Sequence, residues 1–388
     1  MASPSDLPGP LELLVLQPTP FCNINCSYCY LPDRQSTRRM SPATLERTFE
    51  WVFSSGLVRE PFTLLWHAGE PLVMPLPFYE DAVVLLERHN RPGVTVYQSF
   101  QTNATLLDDA WCDFIRRHGI HLGVSVDGPA HLHDSSRRTR QGKGTLDRVL
   151  HGIHLLHEHQ VPFYVISVLT ADSLNYADEL FDFYQEHRIS QVCFNVEEIE
   201  GPNTSSSLLG AGMKERFRRF FSRFMDLACS AEPPLMVREF ETSAGALLGV
   251  RYGPGARTQE NKPWAIVNVD CDGNFSTYSP ELLGLSSPRY GSFALGNVAA
   301  DSLGDVIASE RFRALEADVS LGGDLCRQSC PYFAFCGGGP PANKYFENGT
   351  FASTETLFCR LHKQVCLDVT LERLERQQKA VLSEACPT

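Results

Sequence analysis

The chain lacks any run of eighteen or more apolar residues, so no membrane-spanning helix is expected. It also lacks a basic, then apolar, opening stretch. Met1 to Pro10 is polar and proline-rich, which is not the pattern of a secretory signal. Positive charge is scarce: 34 Lys and Arg stand against 46 Asp and Glu, a net charge of −12. That argues against nucleic acid as the main partner, because phosphate binding needs a basic surface. Repeats and low-complexity tracts are absent, and a hydrophobic fraction of 43% is ordinary for a globular protein. With 388 residues there is room for two domains, at about 100–200 residues each. Cysteine, by contrast, is abundant. Thirteen cysteines without a secretory signal point to metal ligation in a reducing cytoplasm rather than to a disulfide framework.

Three of them, Cys22, Cys26 and Cys29, fall in the string Phe-Cys-Asn-Ile-Asn-Cys-Ser-Tyr-Cys-Tyr. Short spacings of this kind hold iron–sulfur clusters. Three thiolates on a four-iron cube leave one iron open for a ligand that is not protein, such as the amino and carboxylate groups of S-adenosylmethionine. The alternatives are a zinc site or a disulfide pair. Structural zinc normally takes four protein ligands, and the first histidine of the chain is His67.

Upstream of the loop an apolar run from Leu11 to Leu16 ends at Pro18-Thr19-Pro20, so the cysteines follow a buried strand, where a barrel enzyme keeps its active site. Five further strand-like runs follow, Phe62–Trp66, Val94–Phe100, Ile120–Val126, Phe163–Leu169 and Gln191–Val196. Helical stretches alternate with them at Ser41–Ser54, Pro77–His89, Asp108–His118, Thr145–His159, Leu174–His187 and Met213–Ala228. Ser41 before Pro42 reads as an N-cap with proline at the first helical position, and Asp172/Ser173 read as another start. Strand–helix repetition implies a parallel sheet with right-handed crossovers. Beyond it, Ala265–Val269 and Phe275–Tyr278 around Cys271-Asp272-Gly273-Asn274 read as a hairpin.

The three-cysteine motif, with Tyr28 just before its last cysteine, resembles the radical S-adenosylmethionine (radical SAM) enzymes. The resemblance implies an α/β fold, a partial (β/α)6 TIM-like barrel over residues 11–235, open on one side. An N-terminal tail (1–10), a linker (236–262), an α+β extension (263–370) and a C-terminal helix or tail (371–388) complete the expected organisation. It also implies a [4Fe–4S] cluster on Cys22, Cys26 and Cys29 that cleaves S-adenosylmethionine to a 5′-deoxyadenosyl radical. Ala68-Gly69-Glu70-Pro71 stands where the family usually has Gly-Gly-Glu-Pro, which holds the methionine amino group. Ala68 in place of the first glycine is tolerable if its φ is negative. By the same resemblance Asn103, Ser125, Asp127 and Ser167 contact ribose, carboxylate or adenine, although Asp127-Gly128-Pro129 would also make a turn. Arg137, in a basic loop, is expected over the cofactor carboxylate or an acidic peptide. Glu197 and Glu198, ending the sixth strand with Asn195, are the candidate base, and the loop Gly201–Gly212 borders the site.

A second set, Cys326, Cys330 and Cys336, then Gly337-Gly338-Gly339 and Cys359, offers four thiolates. Zinc also takes four cysteines. The region resembles the SPASM extension of peptide-modifying radical enzymes, which typically has seven cysteines and two auxiliary clusters. Here Pro340 follows the glycines, so one auxiliary [4Fe–4S] cluster is expected, with Cys271 and Cys366 outside it. Cys112, Cys193, Cys229 and Cys386 read as ordinary small residues. The strings Cys336–Gly349 and Asp272–Leu282 resemble the Grr-type cyclophane-forming maturases of ribosomally made peptides. That resemblance implies a precursor peptide (leader and core) as substrate and an electron donor such as flavodoxin or ferredoxin. The reaction it implies joins an aromatic ring carbon to the β-carbon of a residue two positions away. No winged-helix leader-binding module is expected before Leu11. The rival readings are oxidation of Cys or Ser to formylglycine, thioether formation, or a non-catalytic iron–sulfur or zinc scaffold that binds a peptide.

Overall fold

A computed structural model describes residues 8–90, 93–249, 252–253 and 256–385. Six strand–helix units come first: β1 (Leu13–Leu16) and α1 (Pro42–Ser54), β2 (Phe62–Trp66) and α2 (Leu76–His89), β3 (Val96–Thr102) and α3 (Asp109–Arg117). They continue with β4 (His121–Ser125), α4 (Ala130–Ser136), α5 (Leu146–Glu158), β5 (Phe163–Leu169), α6 (Ala177–Glu186), β6 (Gln191–Val196) and α7 (Met213–Ser230). Neighbouring strands from β1 to β6 pair in parallel. The sheet does not close, so this is the expected α/β partial barrel with a C-terminal extension.

Local chemistry explains the element ends. Ser41 caps α1, its Oγ accepting from Thr44 N at 3.0 Å, with Pro42 next, and Asp108 caps α3 in the same way through Trp111 N at 2.9 Å. The start expected at Asp172/Ser173 is different. A single 3₁₀ turn spans Ser173–Asn175, closed by Asn175 N to Asp172 O at 3.0 Å and Tyr176 N to Ser173 O at 3.1 Å, and α6 begins only at Ala177 without a side-chain cap.

The stretch expected to be a linker carries regular structure. β7 (Met236–Val237) adds to β6, and α8 (Arg238–Leu248) follows at once. The predicted hairpin forms as β8 (Ile266–Val269) and β9 (Asn274–Thr277), turned by Asp270, whose Oδ1 accepts from Asp272 N and Asn274 N, each at 2.9 Å. Its position was not foreseen: β8 pairs in parallel with β1, Leu14 opposite Val267. The extension therefore continues the barrel sheet, in the order β12-β9-β8-β1-β2-β3-β4-β5-β6-β7. A small hairpin, β10 (Ser286–Ser287) and β11 (Gly291–Ser292), precedes β12 (Gly296–Asn297). Then come α9 (Leu303–Ala308), α10 (Glu310–Ser329), α11 (Phe333–Cys336), α12 (Pro341–Asn348), a π-helix (Cys359–Val365) and α13 (Cys366–Ala385).

One apolar core joins barrel and extension. Trp51 of α1 packs on Phe275 of β9 at 4.3 Å between ring centroids, and its indole N–H donates to Asp301 O at 2.9 Å. Among the described residues no helix is long and apolar enough to cross a membrane.

Candidate active site

The loops leaving the ends of β1–β6 converge at one edge of the sheet, where parallel α/β folds bind ligands. The loop after β1 carries Cys22, Cys26 and Cys29. It is held from three sides. Asn25 N donates to Arg138 O at 2.7 Å and Ser27 N to Ser136 O at 3.0 Å, so the segment after α4 runs alongside it. Arg140 Nε donates to Cys22 O at 2.9 Å, and Arg34 Nη1 to Cys26 O at 2.7 Å. Asn103 Nδ2, past β3, lies 3.7 Å from Cys22 Sγ and donates to Asn23 Oδ1 at 2.8 Å. The three thiols are free and close enough to perturb one another. Burial pushes the Cys22 thiol up to about 12 and that of Cys26 to about 11, with the Arg137 and Arg34 charges opposing at Cys26.

The turn after β2 sits directly on this loop. Gly69, at φ +70°, backs onto the chain at Thr19–Phe21: a Cβ there would lie 2.3 Å from Thr19 O. Ala68 also has a positive φ, +67°, so the condition of a negative φ is not met, and its backbone is strained by a left-handed conformation that glycine adopts freely. Glu70 is 1% exposed and is fully used by the protein. Its carboxylate accepts from Leu72 N at 3.0 Å, Thr102 Oγ1 at 2.6 Å and Asn103 N at 2.8 Å, while Glu70 N donates to Phe21 O at 2.9 Å. Burial pushes its carboxyl up to about 7, against those three donors. Glu70 thus ties β2, β3 and the cysteine loop together. Gly69→Ala is expected to destabilise the chain by about 2–3 kcal/mol, from backbone strain and overpacking, read as a lowered urea midpoint with an unchanged slope.

Asp127 and Arg137 are placed differently from expectation. Both are buried, at 4% and 6% exposure, and they bind each other. Arg137 Nε and Nη2 donate to the two Asp127 oxygens at 2.9 and 3.0 Å. Asp127 also accepts from Val168 N at 2.9 Å and from the Tyr28 hydroxyl, and the Arg137 guanidinium lies 5.5 Å from the Tyr28 ring centre. Their groups are therefore consumed in holding Tyr28, and with it the cysteine loop, against the ends of β4 and β5. Ser125 Oγ accepts from Gln101 Nε2 at 2.9 Å, and Ser167 is fully buried. His133 is a buried neutral ring: burial lowers it to about 4, and its Nδ1 accepts from Asp127 N at 3.2 Å.

Of the two candidate bases, Glu197 turns away. Its carboxylate accepts from Ser207 N at 2.6 Å and holds the loop over residues 201–210. Gly201 of that loop sits on Tyr30, where a Cβ would lie 2.2 Å from Tyr30 O, so the loop does border the site. Glu198 lines a cavity of about 660 Å³ between β6, α8, β9 and the extension. Glu200 and Glu281 line the same cavity and were missed. Glu200 was legible from the alternation in Glu198-Ile199-Glu200; Glu281 arrives from the extension and carries no local signal. Burial and the neighbouring carboxylates raise Glu198, Glu200 and Glu281 together. Tyr30, next to Cys29 and hydrogen-bonded to His67 Nε2 at 2.9 Å, lies within electrostatic reach of Glu281 and Glu200.

A second cavity, of about 350 Å³, is lined by Cys326, Cys330, Cys336 and Cys359 together. Cys336 also lines the larger one, so the two chambers share a wall. Neither Cys271 nor Cys366 lines the smaller cavity; both are buried. Cys386 lies outside the described residues. Among the described residues, no three His, Cys, Asp or Glu side chains converge tightly enough for a single metal ion. Tetrahedral zinc would need its sulfurs about 3.8 Å apart, whereas a four-iron cube spreads its thiolates around a larger body. The donor sets, cysteine alone in both cases, fit iron–sulfur clusters.

Residues 16–184 match the Radical SAM superfamily. The chain is 42% identical over 373 residues to an uncharacterized protein of Synechocystis sp., covering 95% of this chain and 93% of that one. It is 36% identical over 177 residues to the serine-type anaerobic sulfatase-maturating enzyme of Klebsiella aerogenes, a match spanning 45% of this chain and 44% of that enzyme. Among solved structures, native anSMEcpe with bound AdoMet and Cp18Cys peptide superposes with a TM-score of 0.77 at 20% identity, over 96% of this chain and 100% of that one. The chain carries a Radical SAM domain, and the cofactors of that family are an iron–sulfur cluster and S-adenosylmethionine.

Proposed function

We propose that this protein modifies a ribosomally made peptide by radical chemistry, joining an aromatic ring carbon to the β-carbon of a residue two positions away. The observation that carries the reading is the 660 Å³ cavity, large enough for several side chains. It shares a wall at Cys336 with the chamber of the second cysteine set, and two of its carboxylates, Glu200 and Glu281, lie within electrostatic reach of Tyr30, beside Cys29 in the first loop. A scaffold protein needs no such chamber, and its carboxylates would be costly to bury without a task.

Cys22, Cys26 and Cys29 hold the first cluster, and Cys326, Cys330, Cys336 and Cys359 an auxiliary one. When bound, the first cluster and S-adenosylmethionine supply hydrogen-atom abstraction. The resemblance assigns Asn103, Ser125 and Ser167 to the methionine and ribose parts and the turn Ala68–Pro71 to the methionine amino group; of these Ser167 is fully buried and would act from behind the pocket. Asp127 and Arg137 serve this pocket through Tyr28 rather than by contact. Abstraction from the peptide's β-carbon leaves a carbon radical, which adds to the aromatic ring two residues away. Loss of one electron and one proton then restores aromaticity. Glu198, Glu200 and Glu281, raised by burial, are suited to take that proton. The chamber wall at Cys336 puts an electron acceptor next to it. An external carrier such as flavodoxin or ferredoxin closes the electron cycle.

Co-expression with an aromatic-containing peptide encoded beside the gene tests this by mass spectrometry. Loss of two hydrogens per event, with fragmentation blocked across one three-residue stretch, is the expected result. Similarity to sulfatase-maturating enzymes favours a second reading, oxidation of a cysteine or serine to formylglycine. An aldehyde in place of the crosslink would select it.

A further inference from the structure

The larger cavity is unbalanced in charge. Five carboxylates line it, those of Glu198, Glu200, Glu239, Glu260 and Glu281, against two fixed cations, Arg238 and Lys363. Arg238 is spent: it pairs with Glu239 and donates to Phe194 O at 2.9 Å and Asn195 Oδ1 at 2.8 Å. His362 Nε2 donates to Phe194 O at 3.1 Å and faces Glu239, and burial lowers its pKa, so it adds no charge of its own near neutrality. Lys363 rests its ammonium over the Phe358 ring, 5.5 Å from the centre.

Glu198 and Glu200 hydrogen-bond to each other and share one neutral donor, with no cation beside them among the described residues. Asn343 Nδ2 lies 2.5 Å from Glu198 Oε2 and 3.3 Å from Glu200 Oε1. Glu200 is only 8% exposed, and among the described residues it forms no ion pair with any cation. Two further polar atoms on the same walls, His362 Nδ1 and Thr258 Oγ1, are buried without a hydrogen-bond partner. A buried carboxylate needs a cation or several donors, and buried polar atoms are normally satisfied. The unmet acceptors and the space beside them call for an occupant that brings donors and positive charge.

We propose that this chamber receives a basic side chain, lysine or arginine, of the peptide, with Glu200, Glu198 and Glu281 as its acceptors. The inference deepens the peptide-modifying reading and rests on it. A guanidinium or ammonium inserted there supplies the missing donors as charge-assisted hydrogen bonds. It also fixes the neighbouring peptide residues relative to the first cysteine loop, whose Tyr30 lies within electrostatic reach of Glu200 and Glu281. These carboxylates thus determine specificity.

The test uses the full chain with its clusters loaded, held on beads under anaerobic conditions with S-adenosylmethionine. The probe is a pool of short synthetic peptides with one fixed tryptophan and all other positions randomised. Retained peptides are sequenced by mass spectrometry. Lysine and arginine are expected to be enriched about tenfold at one position near the tryptophan, the scale of charge-assisted bonds in a desolvated site. In Glu200→Gln/Glu281→Gln that enrichment is expected to disappear while the other positional preferences remain. Glu197→Gln, outside the cavity, leaves it intact. If the double variant does not hold iron, Glu200→Gln and Glu281→Gln alone are each expected to lower the enrichment. Retention with no basic preference, or a preference that survives these variants as general attraction to an acidic protein, overturns the proposal but leaves the peptide reading standing. Retention of no peptide at all overturns both.

Discussion

Cys26→Ala is expected to abolish release of 5′-deoxyadenosine from S-adenosylmethionine under strong reductant and to lower bound iron by about four atoms per chain. Cys22, Cys26 and Cys29 are free thiols on one half-buried loop, and the carboxylates that act on them, Glu70 at Cys22 and Asp127 at Cys26, are held by their own hydrogen bonds. Neither is free to replace a lost ligand. The backbone of the loop does not depend on that thiol: its hydrogen bonds run through Asn25 N, Ser27 N, Cys22 O and Cys26 O. The variant should therefore fold and keep the second set's iron. Cys359→Ala gives the converse, losing iron from the second set while deoxyadenosine release persists. Iron analysis with a deoxyadenosine assay on both variants separates the two. Full deoxyadenosine release by Cys26→Ala would sink the assignment of the first set.

The second large effect is expected at Asp127. Asp127→Ala leaves the Arg137 guanidinium buried without its counter-charge and orphans Val168 N and the Tyr28 hydroxyl. Breaking a buried pair from one side costs about 3–5 kcal/mol. Equilibrium urea unfolding should report a loss of that size. Replacing both partners together, Asp127→Leu with Arg137→Met, should cost much less than the single change, since no charge is then stranded. That sign of non-additivity is the discriminating result, because it reports coupling between neighbours rather than a general weakening. A single variant within about 0.5 kcal/mol of the parent would show that the pair does not hold the loop.

Both predictions show where local pattern stops being informative. Cysteine spacing identified the first ligand set, since the chemistry depends on residues within one loop. The strand runs, the proline and serine starts and the turn at Asp270 were legible for the same reason: each is decided by residues a few positions apart. Asp127 and Arg137 were correctly singled out but assigned to the cofactor. Polar residues after a strand read alike whether they face a ligand or one another.

What the amino-acid sequence showed by itself was therefore the family resemblance, the strand–helix alternation and two sets of cysteines at cluster spacing, because those rest on short-range periodicity and spacing. Tertiary structure alone decided the rest. It placed the hairpin beside β1, through pairing between Leu14 and Val267 across most of the chain. It turned Glu197 outward onto its loop, and it brought Glu281 from the extension to Glu198 and Glu200. It also joined the carboxylate-lined cavity to the second cysteine chamber at Cys336. The physical reason is common to all four: burial and charge depend on which distant segments meet, and no local preference along the chain encodes that meeting.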